Sequence, residues 1–194
     1  MLRLTGEVSI LAKIIGIGGM PGTGKTTLVK RFMEQVDDWE VVKPVPLLDS
    51  LYSKKLDCYV LGKYDPWYPS EGYAMGTDRL SMAVQPQAEK FISETESSVV
   101  FEGDRLFNGK FLDYIINQGK ECFFLILEAR SGTLQERYES RGSNQDDKFL
   151  NGRRTKYENI WSSLTGNLFS DEEFIAKVTH ETEQDTMSII QENM

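Results

Sequence analysis

The sequence predicts an α/β fold of three layers: a mostly parallel central sheet, helices on both faces, and a helical lid over the ends of the strands. Three observations lead there. Short apolar runs alternate with segments of helical period along the chain, the pattern of parallel strands joined by crossover helices. The first apolar run feeds directly into a glycine-rich loop and then into a helical pattern, an order that places a loop at the carboxyl end of a strand. The length of 194 residues with 40% hydrophobic content suffices for one core and leaves little for a second. Residues 1–194 are therefore expected to form a single domain, with a lid-like segment around 130–165.

In chain order, Lys13-Ile14-Ile15-Gly16-Ile17 reads as a buried strand, and 26–36 as a helix with Leu28, Phe32 and Val36 on one face. Further strands are expected at 40–44, in a hairpin through 58–62, and at 98–102, 121–127 and 174–178. Helices are expected at 78–93, 110–118, 133–139, 152–164 and 183–192, with Pro86 predicting a kink early in the first of these. The stretch 65–76, dense in aromatic residues, proline and glycine, is too irregular for helix or strand and too apolar for a disordered linker, so a shaped loop is expected.

The most specific motif is Gly19-Met20-Pro21-Gly22-Thr23-Gly24-Lys25-Thr26, which has the spacing of a phosphate-binding P-loop. Its glycines let backbone N–H groups turn around phosphate oxygens, and the helix that follows adds the positive end of its dipole. Gly19, Gly22, Thr23, Gly24, Lys25, Thr26 and Thr27 are the candidate cofactor-binding residues. Lys25 supplies a charge that can follow the phosphates during transfer, and the Thr26 hydroxyl can occupy one position of a Mg²⁺ octahedron. ATP and Mg²⁺ are the expected cofactors.

Three later segments carry candidate acceptor chemistry. In Gly76-Thr77-Asp78-Arg79-Leu80-Ser81, Asp78 can take the proton of an attacking hydroxyl and Arg79 can hold a phosphate; an N-cap Asp beside an exposed Arg is the structural alternative. In Val99-Val100-Phe101-Glu102-Gly103-Asp104-Arg105, an apolar strand ends in two carboxylates and an arginine. Asp104 is the candidate metal-side carboxylate with Glu102 the alternative, Asp104 also competes with Asp78 for the role of base, and Arg105 is a candidate substrate contact. Arg137 and Arg141 lie four apart on one helical face, followed by Arg153 and Arg154, and suit a lid that closes over a triphosphate. Trp67, Tyr68 and Tyr73 in the shaped loop are candidate stacking partners for an acceptor ring, or they pack on the core.

A formal charge of −8 argues against a generally DNA-coated surface without excluding a local basic groove. Arginines and lysines at 130–156 stand apart from acidic residues at 171–185, so charge is polarised along the chain. Two lone cysteines, Cys58 and Cys122, suit a reducing cytosol, and a single histidine, His180, gives little support to histidine-based metal sites. No apolar stretch reaches membrane-spanning length, so a cytoplasmic protein with no membrane partner is expected. A guanine-reading Asn-Lys-Xaa-Asp segment is absent, and there is no room for the extra domain of most motor ATPases.

These residues resemble the small P-loop kinases related to polynucleotide, nucleoside and nucleotide kinases. The resemblance spans most of the chain. It rests on the loop at 19–26 and, more weakly, on the order of Gly76-Thr77-Asp78-Arg79-Leu80, Phe101-Glu102-Gly103-Asp104-Arg105-Leu106 and Arg137-Tyr138-Glu139-Ser140-Arg141. It implies a P-loop kinase fold, a general base at Asp78, phosphate handling by Lys25, Mg²⁺ ligation by Thr26 and lid roles for Arg137 and Arg141. Around 76–83 and 149–156 the chain is similar to phage kinases that phosphorylate the hydroxymethyl group of 5-hydroxymethyluracil in DNA, which implies a flipped DNA base as acceptor and the host cytoplasm as location. Nucleosides, nucleotides and other small hydroxyl compounds are the competing acceptors. A nucleotide-regulated binding module without phosphotransfer is the alternative outside the enzymes.

Overall fold

The computed structural model describes residues 13–69, 75–129, 131–140, 146–166 and 174–179. Strand β1 (Lys13–Gly19) is central in a seven-stranded sheet. Around it lie β2 (Glu40–Val42), β3 (Ser50–Ser53), β4 (Cys58–Leu61), β5 (Ser98–Glu102), β6 (Glu121–Glu128) and β7 (Phe174–Thr179), in the order β2-β3-β4-β5-β1-β6-β7. Strand β3 pairs antiparallel with both β2 and β4; β4, β5, β1, β6 and β7 run parallel. The α/β fold with a mostly parallel sheet is as the sequence predicts.

Side chains alternate across the sheet because successive strand residues face opposite ways. Ile14, Val99, Phe101, Phe124 and Ile126 enter one core with helices α2 (Gln85–Glu94), α3 (Gly109–Ile116) and α5 (Asp147–Gly166). Ile15, Ile17, Val100, Phe123 and Leu125 enter the other with α1 (Lys25–Met33). The chain thus leaves β1 toward one face and β5 toward the other. A crevice forms outside the carboxyl ends of two parallel strands where their connections diverge, and here it lies between the loop after β1 and the residues after β5.

The expected helix at 78–93 is corrected. Thr77–Arg79 forms a single 3-10 turn, Leu80 is extended at φ −81° and ψ 163°, and α2 begins only at Gln85. Pro86 occupies the first turn of α2, where a missing N–H costs nothing and no kink follows. Asp78 is therefore not the N-cap of an α-helix. Helix α5 starts five residues before the expected 152, because the Asp146 carboxylate accepts the Phe149 N–H at 2.7 Å and caps it. Helix α4 (Ser131–Ser140) lies in the first third of the expected lid segment. The expected helix at 183–192, together with Tyr73, Arg141 and His180, lies outside the described residues. Among the described residues no helix is long and apolar enough to cross a membrane.

Candidate nucleotide and acceptor site

Strand β1 ends in the glycine loop, and Gly24 caps α1 in the left-handed region at φ 96°, a conformation that favours a residue without a Cβ. Lys25 is the first residue of α1, and its Nζ donates to the carbonyls of Gly19 at 2.8 Å and Met20 at 3.1 Å, which draws the ammonium across the loop. The buried Thr23 donates its hydroxyl to the same Met20 carbonyl at 2.8 Å, bracing the loop from within. Thr26 turns its hydroxyl toward β5 and donates to Glu102 Oε1 at 2.8 Å. Thr27 is exposed on the outer side of the helix.

Glu102 is fully enclosed at the end of β5. A Cβ at Gly76 would fall 2.4 Å from its Oε1 and 2.9 Å from the buried Tyr64 hydroxyl, so the turn that carries Asp78 is pressed against this carboxyl. The Thr77 hydroxyl donates to the Glu102 carbonyl at 2.6 Å and fixes the same turn. Burial pushes the Glu102 carboxyl up to about 7, with Asp78 and Asp104 adding repulsion, while Lys25 and the Thr26 hydroxyl work against the rise.

A stability signature follows from that environment. The unfolded chain ionises Glu102 near 4.5, so the folded state binds this proton more tightly, and stability falls as pH rises from there through about 7. The full cost, about 3 kcal/mol, stands above pH 7. Glu102→Gln keeps an oxygen for Thr26 but cannot ionise. Thermal unfolding without Mg²⁺ should therefore show the variant gaining several degrees over wild type at pH 8 and losing that advantage at pH 5; a gain independent of pH sinks the assignment.

Two residues on, Asp104 faces away from Thr26. Its Oδ1 accepts Lys156 Nζ at 2.7 Å and the Tyr157 hydroxyl at 2.5 Å, and its Oδ2 meets Arg153 Nη1 at 3.1 Å. Burial opposes ionisation of Asp104, but these donors outweigh it and hold the carboxyl below its ordinary range. Burial likewise draws the Lys156 ammonium down, against the pull of Asp104. The metal-side position expected for Asp104 thus faces α5, and the carboxylate beside Thr26 is the alternative, Glu102.

Asp78 lies at the crevice between these groups. Its Oδ1 accepts the Arg105 N–H at 2.9 Å, and Arg105 Nη2 returns to the Asp78 carbonyl at 3.3 Å. The carboxyl is raised above its ordinary range, first because protein displaces water from one side of it; Asp104 adds repulsion, and the Arg105 N–H, Lys25 and the Arg105 guanidinium oppose. The other side remains open to solvent. A carboxyl that is open on one side and raised above its ordinary range is chemically able to accept a proton from a hydroxyl.

Arg79 points elsewhere. Its Nη1 donates to the Tyr68 carbonyl at 2.6 Å, Nη2 to the Pro69 carbonyl at 3.4 Å, and Asp65 lies 4.0 Å away, so the guanidinium secures the shaped loop. Trp67 and Tyr68 are half-buried against the α1-side core, with the Tyr68 hydroxyl donating to Ser50 at 3.3 Å. Arg137, on α4, donates to the Gly22 carbonyl at 2.6 Å. Arg154 is exposed and borders a cavity of about 260 Å³ shared with Met20, Leu134 and Tyr157. Sequence reasoning missed Tyr64, Tyr138, Lys156 and Tyr157. The last two had a signal, since 153, 156 and 157 fall on one face of a helix.

A glycine loop at the end of a central parallel strand, its lysine and threonine turned into a crevice, and a buried carboxylate at the next strand define a nucleotide-binding P-loop domain. The chain belongs to the AAA domain family, whose family model matches residues 15–161, from β1 into α5. No curated protein matches the sequence. Among solved structures, an unliganded sugar kinase from Janibacter sp. HTCC2649 is similar at 11% identity over 94% of each chain, with a TM-score of 0.44. An uncharacterized protein from Eubacterium ventriosum ATCC 27560 is similar at 15% identity over 92% of this chain and 96% of that one, also with a TM-score of 0.44.

Proposed function

We propose that the protein is an ATP-dependent kinase that moves the γ-phosphate to an acceptor hydroxyl, with Lys25 on the phosphates and Asp78 as general base. The observation that carries this is the shared crevice. Thr26, beside Lys25, donates to the Glu102 carboxyl, and Thr77, beside Asp78, donates to the Glu102 carbonyl, so the phosphate loop and the turn with Asp78 meet at one strand end, which supports a base next to a phosphate cradle. In a nucleotide-regulated binding module Asp78 would serve only to hold the Arg105 N–H.

The oxygen donors of Thr26 and Glu102, 2.8 Å apart, suit a hard cation such as Mg²⁺. When bound, Mg²⁺ would neutralise charge on the β- and γ-phosphates. Thr26 and Glu102 would hold it, Glu102 in its ionised form, while Asp104 fixes α5 and with it Arg153 and Lys156 near the acceptor side.

For the acceptor, we propose the 5-hydroxymethyl group of 5-hydroxymethyluracil in DNA. The two segments similar to phage DNA-base kinases, 76–83 and 149–156, meet around Asp104 and Arg105 through Asp78, Arg153 and Lys156. Those cations, with Arg154 exposed beside them, make a local basic edge on a chain of charge −8. A small hydroxyl compound is the competing acceptor, favoured by the packing of Trp67 and Tyr68 against the core, which leaves less ring surface to stack a base. Labelled γ-phosphate transfer decides. Hydroxymethyluracil DNA should gain phosphate and matched thymine DNA should not, with mass spectrometry of the digest locating it. Transfer to a free nucleoside or sugar but not to that DNA overturns the DNA acceptor and keeps the kinase; transfer to neither, with ATP bound, favours the binding module.

A further inference from the structure

We infer that Tyr138 is a positioning residue for the phosphate cradle: from the outer side of the P-loop it turns the Pro21–Gly22 peptide so that the Gly22 N–H faces the bound phosphates. The Tyr138 hydroxyl donates to the Pro21 carbonyl at 2.8 Å. In a planar trans peptide the C=O and the following N–H point in opposite directions, and the one cis bond among the described residues is Asp65-Pro66. A donor that draws the Pro21 carbonyl toward α4 therefore directs the Gly22 N–H toward the concave side, where Lys25 reaches the Gly19 and Met20 carbonyls.

The next peptide is held in the same sense. Arg137 Nη1 draws the Gly22 carbonyl to the same helix at 2.6 Å, and the Thr23 N–H points back across the loop to Met20 at 3.3 Å. The Tyr138 ring supports the turn as well, since a Cβ at Gly22 would stand 3.2 Å from its Cε1. Helix α4 is thus a brace for the loop. Arg137 contributes here through a loop carbonyl, a contact different from the direct phosphate contact expected of a lid arginine.

The inference rests on the loop binding a triphosphate, and not on the acceptor or on transfer. It concerns phosphates alone, so a ligand without a nucleoside must report it. Tyr138→Phe keeps the ring against Gly22 and removes one hydroxyl. Titration calorimetry of wild type and variant with Mg·ATP and with magnesium tripolyphosphate is the test, alongside thermal unfolding. Affinity for both ligands should fall by the same factor, about three- to tenfold, as expected for one hydrogen bond, while the unfolding midpoint moves little. Exchange of the Gly22 amide, followed by NMR in the free proteins, should be faster in the variant. Equal affinities in the two proteins overturn the inference. So does a loss confined to ATP, which would put Tyr138 at the nucleoside, or a fall in affinity that only tracks a large loss of stability. Failure of wild type to bind either ligand overturns the nucleotide reading itself.

Discussion

Lys25→Ala is expected to lower kcat for phosphate transfer at least about a hundredfold, the scale of removing one preorganised charge from a transition state. The fold should survive. Lys25 is half-buried, and its two hydrogen bonds go to loop carbonyls and not to the core, so their loss costs about 1–2 kcal/mol. Initial rates at saturating Mg·ATP, with circular dichroism and thermal unfolding on the same samples, separate the two effects. A rate equal to wild type at saturation removes Lys25 from the chemistry.

Asp78→Asn should slow transfer by about two to four orders of magnitude and leave ATP affinity within about twofold, because an amide preserves the shape but cannot take the proton. Asn also retains an oxygen for the Arg105 N–H, so the turn should persist. Asp104→Asn is the comparison. Its loss frees Lys156 and Arg153 from the strand end and should raise the KM for an anionic acceptor more than it lowers kcat. If Asp104→Asn alone stopped transfer and Asp78→Asn did not, the base would move to Asp104.

The P-loop was readable because its signal is contiguous: eight residues, each constrained by the same backbone turn, flanked by a strand and a helix. The sheet was readable from alternation, as with Phe123 and Phe124, which enter opposite cores. Side-chain direction after a break was not. Glu102 and Asp104 are two apart and would share a face in a continuous strand, but Gly103 sits between them at φ 104°, which turns Asp104 out to α5. Asp78 and Arg79 are adjacent and suggested joint work, yet the 3-10 turn sends one to Arg105 and the other to the carbonyls at 68 and 69. Strand β3 was missed because Ser50–Ser53 is short and its neighbours supply the pairing.

The three donors that α5 places on Asp104 also bind that helix to the end of β5 through a single side chain. Pulling α5 away would strip Lys156, Tyr157 and Arg153 from a shielded carboxylate at once, at a cost of several kcal/mol. Helix α5 is therefore anchored to the end of β5 and is held to the sheet at that point.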